Sequence, residues 1–100
     1  MFRTVQFAYR GVQFEWDPYK AASNLAKHGV AFEAASEAFL DPFRRVVDAS
    51  GPGEARDAVI GFTESQLLLT VVHLTHHEEI IRIISARRAS REERRLYEQH

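Results

Sequence analysis

The chain has 100 residues, of which 45% are hydrophobic and 27% charged, and its formal charge at pH 7 is −1. This length and composition predict one globular domain with a single hydrophobic core. No segment approaches the roughly 18 consecutive apolar residues of a membrane-spanning helix, and residues 1–10 lack the apolar run of a secretory signal. The chain contains no cysteine, which excludes disulfides and thiolate chemistry and favours a cytoplasmic protein without a membrane partner.

Positive charge is concentrated near the C-terminal end of the sequence. Six of the 13 Lys and Arg residues lie between positions 82 and 97, where only Glu92 and Glu93 oppose them, so the local charge is +4 and the rest of the chain carries −5. This asymmetry indicates a negatively charged partner, either a nucleic-acid backbone or an acidic protein. The low net charge and the lack of a recognisable helix-turn-helix argue against direct DNA binding.

The first predicted elements are a strand and a helix. Residues 11–17 alternate between apolar and polar side chains, which is typical of a short strand. Asp17 followed by Pro18 predicts the N-cap and first residue of a helix, and Gly29 predicts its end. The helical spacing of its apolar residues supports this helix; they are Tyr19, Ala22, Leu25 and Ala26.

A second helix and a set of strands follow. Apolar residues at helical spacing over 32–39 predict the helix, which Asp41 and Pro42 end because the residue before proline disfavours helical geometry. The predicted strands cover residues 44–48, 57–62, 66–75 and 80–86. Short connections between the last three favour an antiparallel meander.

The last strand and the C-terminal helix contain most of the arginines. Strict alternation would place Arg82, Ile84 and Ala86 on one face of the sheet and Ile81, Ile83 and Ser85 on the other. Ser90 and Glu93 form a capping-box pattern, which predicts a helix over residues 91–99. The expected fold is α+β: a small antiparallel sheet packed with two N-terminal helices and a short C-terminal helix.

Four segments of the sequence together resemble a known family. They are FEWDPYKAASNLAKHGVAFEAASEAFLDP, EARDAVIG, LLLTVVH and RIISARRASREERRLYE. They are similar to the BrnT family of bacterial type II toxins, which are ribonucleases with a RelE-like fold. The resemblance covers about residues 13–98, so residues 1–100 are expected to be one BrnT-like domain with an N-terminal extension of unknown role at 1–11.

The resemblance implies both an activity and a partner. The expected activity is endoribonuclease cleavage of RNA, with messenger RNA as the substrate and with no metal or other cofactor. The expected partner is a BrnA-type antitoxin, in a heterotetramer built around an antitoxin dimer that alone contacts operator DNA. The family typically has an arginine in the turn before the last strand, where this chain has His76-His77-Glu78-Glu79. A degenerate member that only binds antitoxin or nucleic acid is therefore the alternative.

Metal-independent RNA cleavage needs a base for the 2′-hydroxyl, cations for the phosphate and an acid for the leaving oxygen. Guanidinium groups suit the phosphate, and histidine titrates near neutral pH. The candidate catalytic residues are His28, Lys27, Arg56, Arg82, Arg87 and Tyr97. The resemblance implies Arg56, which matches an arginine that the family keeps near its RNA-facing surface. The candidate substrate-binding residues are Lys20, Asn24, Ser85, Arg88 and Arg91.

Each candidate also has a purely structural explanation. Lys27 and His28 can complement the dipole at the end of a helix. Arg56 can form a surface ion pair, and Arg82 can be a charged residue that protects a strand edge. Tyr97 can either stack on a base or attach the C-terminal helix to the body.

Three histidines close together in the sequence raise the question of a metal site. His73 and His77 would share a strand face but lie about 13 Å apart by strand rise. His76 would then face the other way. We expect no metal site.

Overall fold

Six strands and three α-helices form the part of the chain that the computed structural model describes, residues 3–76 and 79–99. The strands are β1 (Val5–Tyr9), β2 (Val12–Trp16), β3 (Arg45–Asp48), β4 (Asp57–Phe62), β5 (Leu68–His76) and β6 (Ile80–Arg88). The helices are α1 (Pro18–His28), α2 (Phe32–Ser36) and α3 (Arg91–Glu98), and a 3₁₀ helix spans Glu37–Leu40. None of these helices is long and apolar enough to cross a membrane.

The strands form one sheet in the order β1-β2-β6-β5-β4-β3. The meander from β3 to β6 is antiparallel, as predicted. The expectation of a purely antiparallel sheet is wrong, because β2 pairs with β6 in parallel. Helices and three strands separate β2 from β6 along the chain, and a connection of this length permits parallel pairing.

The N-terminal extension contributes a strand to the sheet. Strand β1 pairs with β2 along its whole length, and Arg10 and Gly11 both have positive φ in the turn between them, as a two-residue hairpin turn requires. Phe7 packs on Trp16 with ring centroids 5.6 Å apart. The extension therefore adds a sixth strand and covers the edge of β2.

One observed helix is shorter than predicted, and another exposes part of its apolar surface. Helix α1 has the expected bounds, with Asp17 as N-cap and Gly29 in the left-handed conformation at its end. Helix α2 ends at Ser36 and continues as the 3₁₀ helix, so the prediction of one helix over residues 32–39 is wrong in its second half. The apolar residues of α1 at helical spacing do not all face the core, because Tyr19 is 77% exposed and Leu25 is 51% exposed.

One face of the sheet, which we call the covered face, packs against the N-terminal helices. Its core combines strand residues such as Phe14, Val71 and Ile83 with helix residues such as Phe32 and Phe39, all buried. Strand β4 passes close beneath the 3₁₀ helix at Gly61, where a Cβ atom would overlap the backbone carbonyl of Ala38. This contact sets the distance between the sheet and the helical layer.

The opposite face is only partly covered. Helix α3 packs there through Tyr97 and Leu96 onto Ile60 and Leu68, at the end of the sheet where β4 finishes and β5 begins. Arg45 donates hydrogen bonds to the carbonyl oxygens of Leu96 and Gln99 at the end of α3. We call the remaining part, which α3 does not contact, the uncovered face.

Candidate functional site

The register of the sheet shows which side chains lie on the uncovered face. Residues directly opposite one another on paired strands share a face. Glu15 of β2 lies opposite Arg82 of β6, and Arg82 lies opposite Leu74 of β5. Ser85 lies opposite Val72 on the same face.

A bulge in β6 overturns the predicted alternation. Val72 pairs with Ser85 but the next residue, His73, pairs with Ile83, so Ile84 has no register partner. Ile83 and Ala86 consequently both lie buried in the core of the covered face. The extra residue reverses the alternation and places Ser85 on the same face as Arg82.

Beside the bulge, a groove separates α1 from β6. It encloses about 230 Å³ and is lined by Lys20, Ser23, Asn24, Lys27, His28, Ile84 and Ser85. Five of these seven residues were predicted from the sequence to act in catalysis or substrate binding: Lys20, Asn24, Lys27, His28 and Ser85. Among the described residues, the lining contains two lysines and a histidine but no carboxylate, so the groove favours an anionic ligand.

Asn24 holds α1 against the edge of β6. Its amide nitrogen donates to the carbonyl oxygens of Ala86 at 2.8 Å and Val30 at 3.0 Å, and its amide oxygen accepts from the Ala86 N–H at 3.0 Å. Asn24 is 6% exposed and bonds to backbone groups, so it positions the helix, and its contact with substrate stays a prediction. Lys20, Lys27 and His28, on the same side of α1, then line the groove.

A buried carboxylate organises the end of the uncovered face nearest the β5–β6 connection. Oε2 of Glu15 accepts from Nη1 of Arg82 at 2.9 Å and lies 3.1 Å from Nδ1 of His76. The side chains of Glu15, Arg82 and His76 are 8%, 28% and 48% exposed. We call these three residues the Glu15 cluster.

Arg56 precedes β4 at the same end of the sheet. Asp57 pairs with His73, so extending the register by one residue places Arg56 opposite Leu74, which in turn pairs with Arg82. Arg56 forms an ion pair with Glu54 at 2.8 Å, and its Nε is buried without a hydrogen-bond partner in the described part of the chain. Arg56 and Arg82 thus face the same side of the sheet, with β5 between them.

Arg87 lies where the uncovered face meets α3, at the point where β6 leads into that helix. Its two terminal nitrogens donate to the two carboxylate oxygens of Glu93 at 2.7 and 2.9 Å. Glu93 also completes the capping box with Ser90. The hydrogen bonds from Arg87 lower the pKa of Glu93 to about 2, so this pair is ionised at neutral pH.

Tyr97 is buried beneath α3. Its hydroxyl donates to Oδ2 of Asp41 at 2.6 Å, its ring packs edge-on against Phe62, and burial followed by this hydrogen bond raises its pKa to about 12. This environment supports the structural alternative for Tyr97, attachment of the helix to the body, over base stacking.

The remaining nominated cations are exposed. Arg88, at the end of β6, and Arg91, at the start of α3, are both exposed. Arg88 lies opposite Leu69 of the covered-face core, so it projects from the other side of β6 than Arg87.

The histidines do not group as a metal site in the described residues. His73 is buried against Phe39 on the covered face, where burial lowers its pKa. His76 belongs to the Glu15 cluster on the opposite face, and His77 lies outside the described residues. No group of three or more His, Cys, Asp or Glu side chains in the described ranges could hold an ion.

Sequence reasoning missed two members of the Glu15 cluster. The alternation of VQFEW did place Glu15 on the polar face of a strand. The burial of Glu15 could not be predicted from the local sequence, because its partner Arg82 lies 67 positions away. His76 was considered as a possible metal ligand and as part of the turn where the family typically has an arginine, but not as a partner of Glu15.

Comparisons with known proteins agree with this architecture. A sequence model of the family described as "Ribonuclease toxin, BrnT, of type II toxin-antitoxin system" matches residues 16–93. The crystal structure of the Brucella abortus ribonuclease toxin BrnT matches with a TM-score of 0.62 and 30% sequence identity, over 76% of this chain and 94% of that toxin. No curated protein matches the chain.

The family model spans most of the chain, and the similar structure has the same kind of α+β fold. The match to the family model begins at Trp16, so strand β1 and Glu15 lie outside the segment that this model matches. The chain belongs to the BrnT family of ribonuclease toxins of type II toxin–antitoxin systems, a membership that implies an antitoxin partner.

Proposed function

We propose that the protein is a metal-independent endoribonuclease that cleaves messenger RNA and thereby stops translation and growth. The observation that carries the proposal is the groove between α1 and β6, where Lys20, Lys27 and His28 lie near Ser85 and no carboxylate occurs among the lining residues that the structure describes. A groove with this charge suits a phosphodiester backbone. Ser85 also belongs to the uncovered face, so one strand of RNA can contact the groove and the arginines beyond it.

The proposed roles follow from the positions of the side chains. Lys20, Lys27 and His28 contact phosphates in the groove, and Ser85 donates a hydrogen bond at its rim. At one end of the uncovered face, Arg82 and Arg56 stabilise charge on the phosphate. Near the start of α3, a second group of arginines binds the RNA that extends past the uncovered face; this group consists of Arg87, Arg88 and Arg91. The chain itself thus supplies the cations that the phosphate requires.

The proposed antitoxin is a BrnA-type protein that forms a heterotetramer around its own dimer and alone contacts operator DNA. The family membership supports an antitoxin, and the cationic surface supports one with acidic or closely fitting contacts. Neutralisation then consists of covering the groove and the uncovered face. The complex is expected in the cytoplasm, and the RelE-like character of the fold remains a prediction.

A second candidate function is binding without cleavage. The observation in its favour is that three nominated arginines are already paired with carboxylates: Arg56 with Glu54, Arg82 with Glu15, and Arg87 with Glu93. A cation held in an ion pair stabilises a bound phosphate less than an unpaired one. RNA would then bind only through the groove between α1 and β6.

Induced expression followed by measurement of growth and of total-RNA integrity tests the proposal. The wild type is compared with the Lys20→Ala/Lys27→Ala double variant and with Arg10→Ala, a control that removes a surface cation in an ion pair with Glu64 outside the groove. We expect arrest and RNA cleavage for the wild type and the control but not for the double variant. Cleavage by the purified protein should persist in excess chelator.

Normal growth and intact RNA at confirmed expression of the wild type would exclude the nuclease and leave the binding function. Loss of purified activity on chelation would exclude the metal-independent mechanism. Equal cleavage by wild type and double variant would show that the groove is not the RNA site.

A further inference from the structure

Among the described residues, two exposed histidines, His28 and His76, lie near the residues proposed to bind RNA, and their surroundings differ. His28 lines the groove, and its side chain makes no hydrogen bond or ion pair within residues 3–76 and 79–99. The imidazole of His76 is held by the carboxylate of Glu15. A histidine that transfers protons in an enzyme is usually oriented by a second group, so the two are not equivalent candidates.

We propose that His76 is the general base of RNA cleavage, that Glu15 is its positioning residue, and that Arg82 holds the scissile phosphate beside it. The proposal rests on the ribonuclease function proposed above and moves proton transfer from the groove to the Glu15 cluster. In this proposal, the residues of the groove bind the RNA backbone on either side of the scissile phosphate.

The hydrogen bond to Glu15 sets the tautomer of His76. A carboxylate only accepts hydrogen bonds, so the nitrogen facing it, Nδ1, must carry the proton. In the neutral ring, Nε2 then carries the lone pair and is the atom able to accept a proton. Because 48% of the His76 side chain is exposed, the ring is accessible to a ligand on the uncovered face.

The geometry places a cation beside this base. Nη1 of Arg82 and Nδ1 of His76 both lie within 3.1 Å of the same Glu15 oxygen, so the two nitrogens can be no farther apart than twice that distance. A single phosphodiester group with its adjacent ribose can contact both side chains. Arginine has five N–H donors, and the bond from Nη1 to Glu15 leaves others for phosphate oxygens.

The register of the sheet adds a second cation. Arg56 lies opposite Leu74, which lies opposite Arg82, and strands are about 4.8 Å apart, so the two arginines are roughly 10 Å apart along this row. Their long side chains can reach toward a phosphate between them. The buried Nε of Arg56, unpaired within the described residues, shows that Glu54 does not satisfy all of its donors.

Each proton in the proposed reaction is accounted for. Nε2 of His76 accepts the proton of the 2′-hydroxyl, and that oxygen attacks the adjacent phosphorus. The bond between phosphorus and the 5′-oxygen breaks, and the 5′-oxygen takes a proton from water. The imidazolium returns its proton to the resulting hydroxide, and the products are a 2′,3′-cyclic phosphate and a 5′-hydroxyl.

The first experiment measures cleavage of a defined RNA oligonucleotide by purified wild type, His76→Ala and Thr75→Ala. Thr75 is the exposed neighbour of His76 and pairs with Ile81 on the other face, so its variant is the matched control. We expect His76→Ala to lower kcat about a hundredfold or more with little change in KM, and Thr75→Ala to keep wild-type activity. Added imidazole should partly restore cleavage by His76→Ala.

A second variant tests the positioning role of Glu15. Glu15→Gln should lower kcat more than KM, and combining it with His76→Ala should cost little beyond His76→Ala alone, because Glu15 acts through the histidine. A purely structural ion pair would instead give additive losses and no rescue by imidazole. Thermal unfolding of each variant identifies any that fails to fold.

The outcomes separate this proposal from the one on which it rests. If the wild type leaves RNA intact, the proposed ribonuclease function fails. If the wild type cleaves and folded His76→Ala cleaves at the same rate, or cannot be rescued by imidazole while His28→Ala can, the assignment of His76 is overturned and the ribonuclease stands.

Discussion

Asn24 and Ala86 exchange two hydrogen bonds across 62 positions of sequence, with the side-chain amide of Asn24 bonded to both the N–H and the carbonyl of Ala86. Strand β2 pairs with β6 only as far as Arg82. Beyond that point the edge of β6 would face helix α1 with open backbone groups. At this edge of β6, the amide of Asn24 makes the hydrogen bonds that a neighbouring strand would make. Asn24 also lines the groove proposed to bind RNA.

Replacing Asn24 with Leu should destabilise the fold strongly. The change leaves the Ala86 N–H and the carbonyls of Ala86 and Val30 without their partner, and each buried unpaired group costs about 1–3 kcal/mol. We expect a fall of several kcal/mol in the free energy of unfolding, measured by urea denaturation. Ser23→Ala, at the exposed neighbouring position, is the control and should change stability little; equal values for the two variants would refute the role of Asn24.

Replacing Gly61 with Ala should also destabilise the protein. The added Cβ would overlap the carbonyl oxygen of Ala38, a backbone atom that cannot move aside like a flexible side chain. Overpacking of this kind typically costs about 1–3 kcal/mol. Gly51→Ala, where no atom lies within 4 Å of the added carbon, should be tolerated, and thermal unfolding of both variants checks the difference.

The pair of Arg87 and Glu93 should make stability fall in acid. The hydrogen bonds from Arg87 hold the pKa of Glu93 at about 2, below its ordinary value of 4.5. A lowered pKa in the folded state means that the stabilisation is fully present above pH 4.5 and is lost as the pH falls towards 2.

Glu93→Gln should remove this part of the acid dependence, so its free energy of unfolding should change less than that of the wild type over the same pH range. Glu98→Gln, at the exposed end of the same helix, should keep the wild-type dependence. Parallel curves for wild type and Glu93→Gln would show that the pair contributes nothing in acid.

Removing a groove lysine should weaken RNA binding in a salt-dependent way. Each phosphate contact to single-stranded RNA contributes about 0.7 to the slope of log affinity against log salt concentration. A 2′-O-methyl oligoribonucleotide, which lacks the attacking hydroxyl, permits the measurement by fluorescence anisotropy without cleavage. Lys27→Ala should lower the slope by about that amount, whereas Arg10→Ala should leave it unchanged; equal slopes for all three proteins would place the RNA elsewhere.

Local sequence signals determined the elements of this protein. Asp17, Pro18 and Gly29 fix the ends of α1, and Ser90 with Glu93 fixes the start of α3, because caps act within one turn of the chain. The antiparallel meander followed from short polar connections. The similarity of the sequence to BrnT toxins was readable from motifs and has been confirmed by comparison.

The tertiary structure decided which faces those elements present. The apolar stripe that includes Tyr19 and Leu25 is exposed, because Asn24 on the other side of α1 satisfies the edge of β6. The bulge at Ile84 moved Ser85 to the uncovered face, which strict alternation could not anticipate. Glu15, Arg82 and His76 meet at one oxygen atom only because β2 pairs in parallel with β6, and pairings between distant segments depend on the whole fold rather than on local sequence.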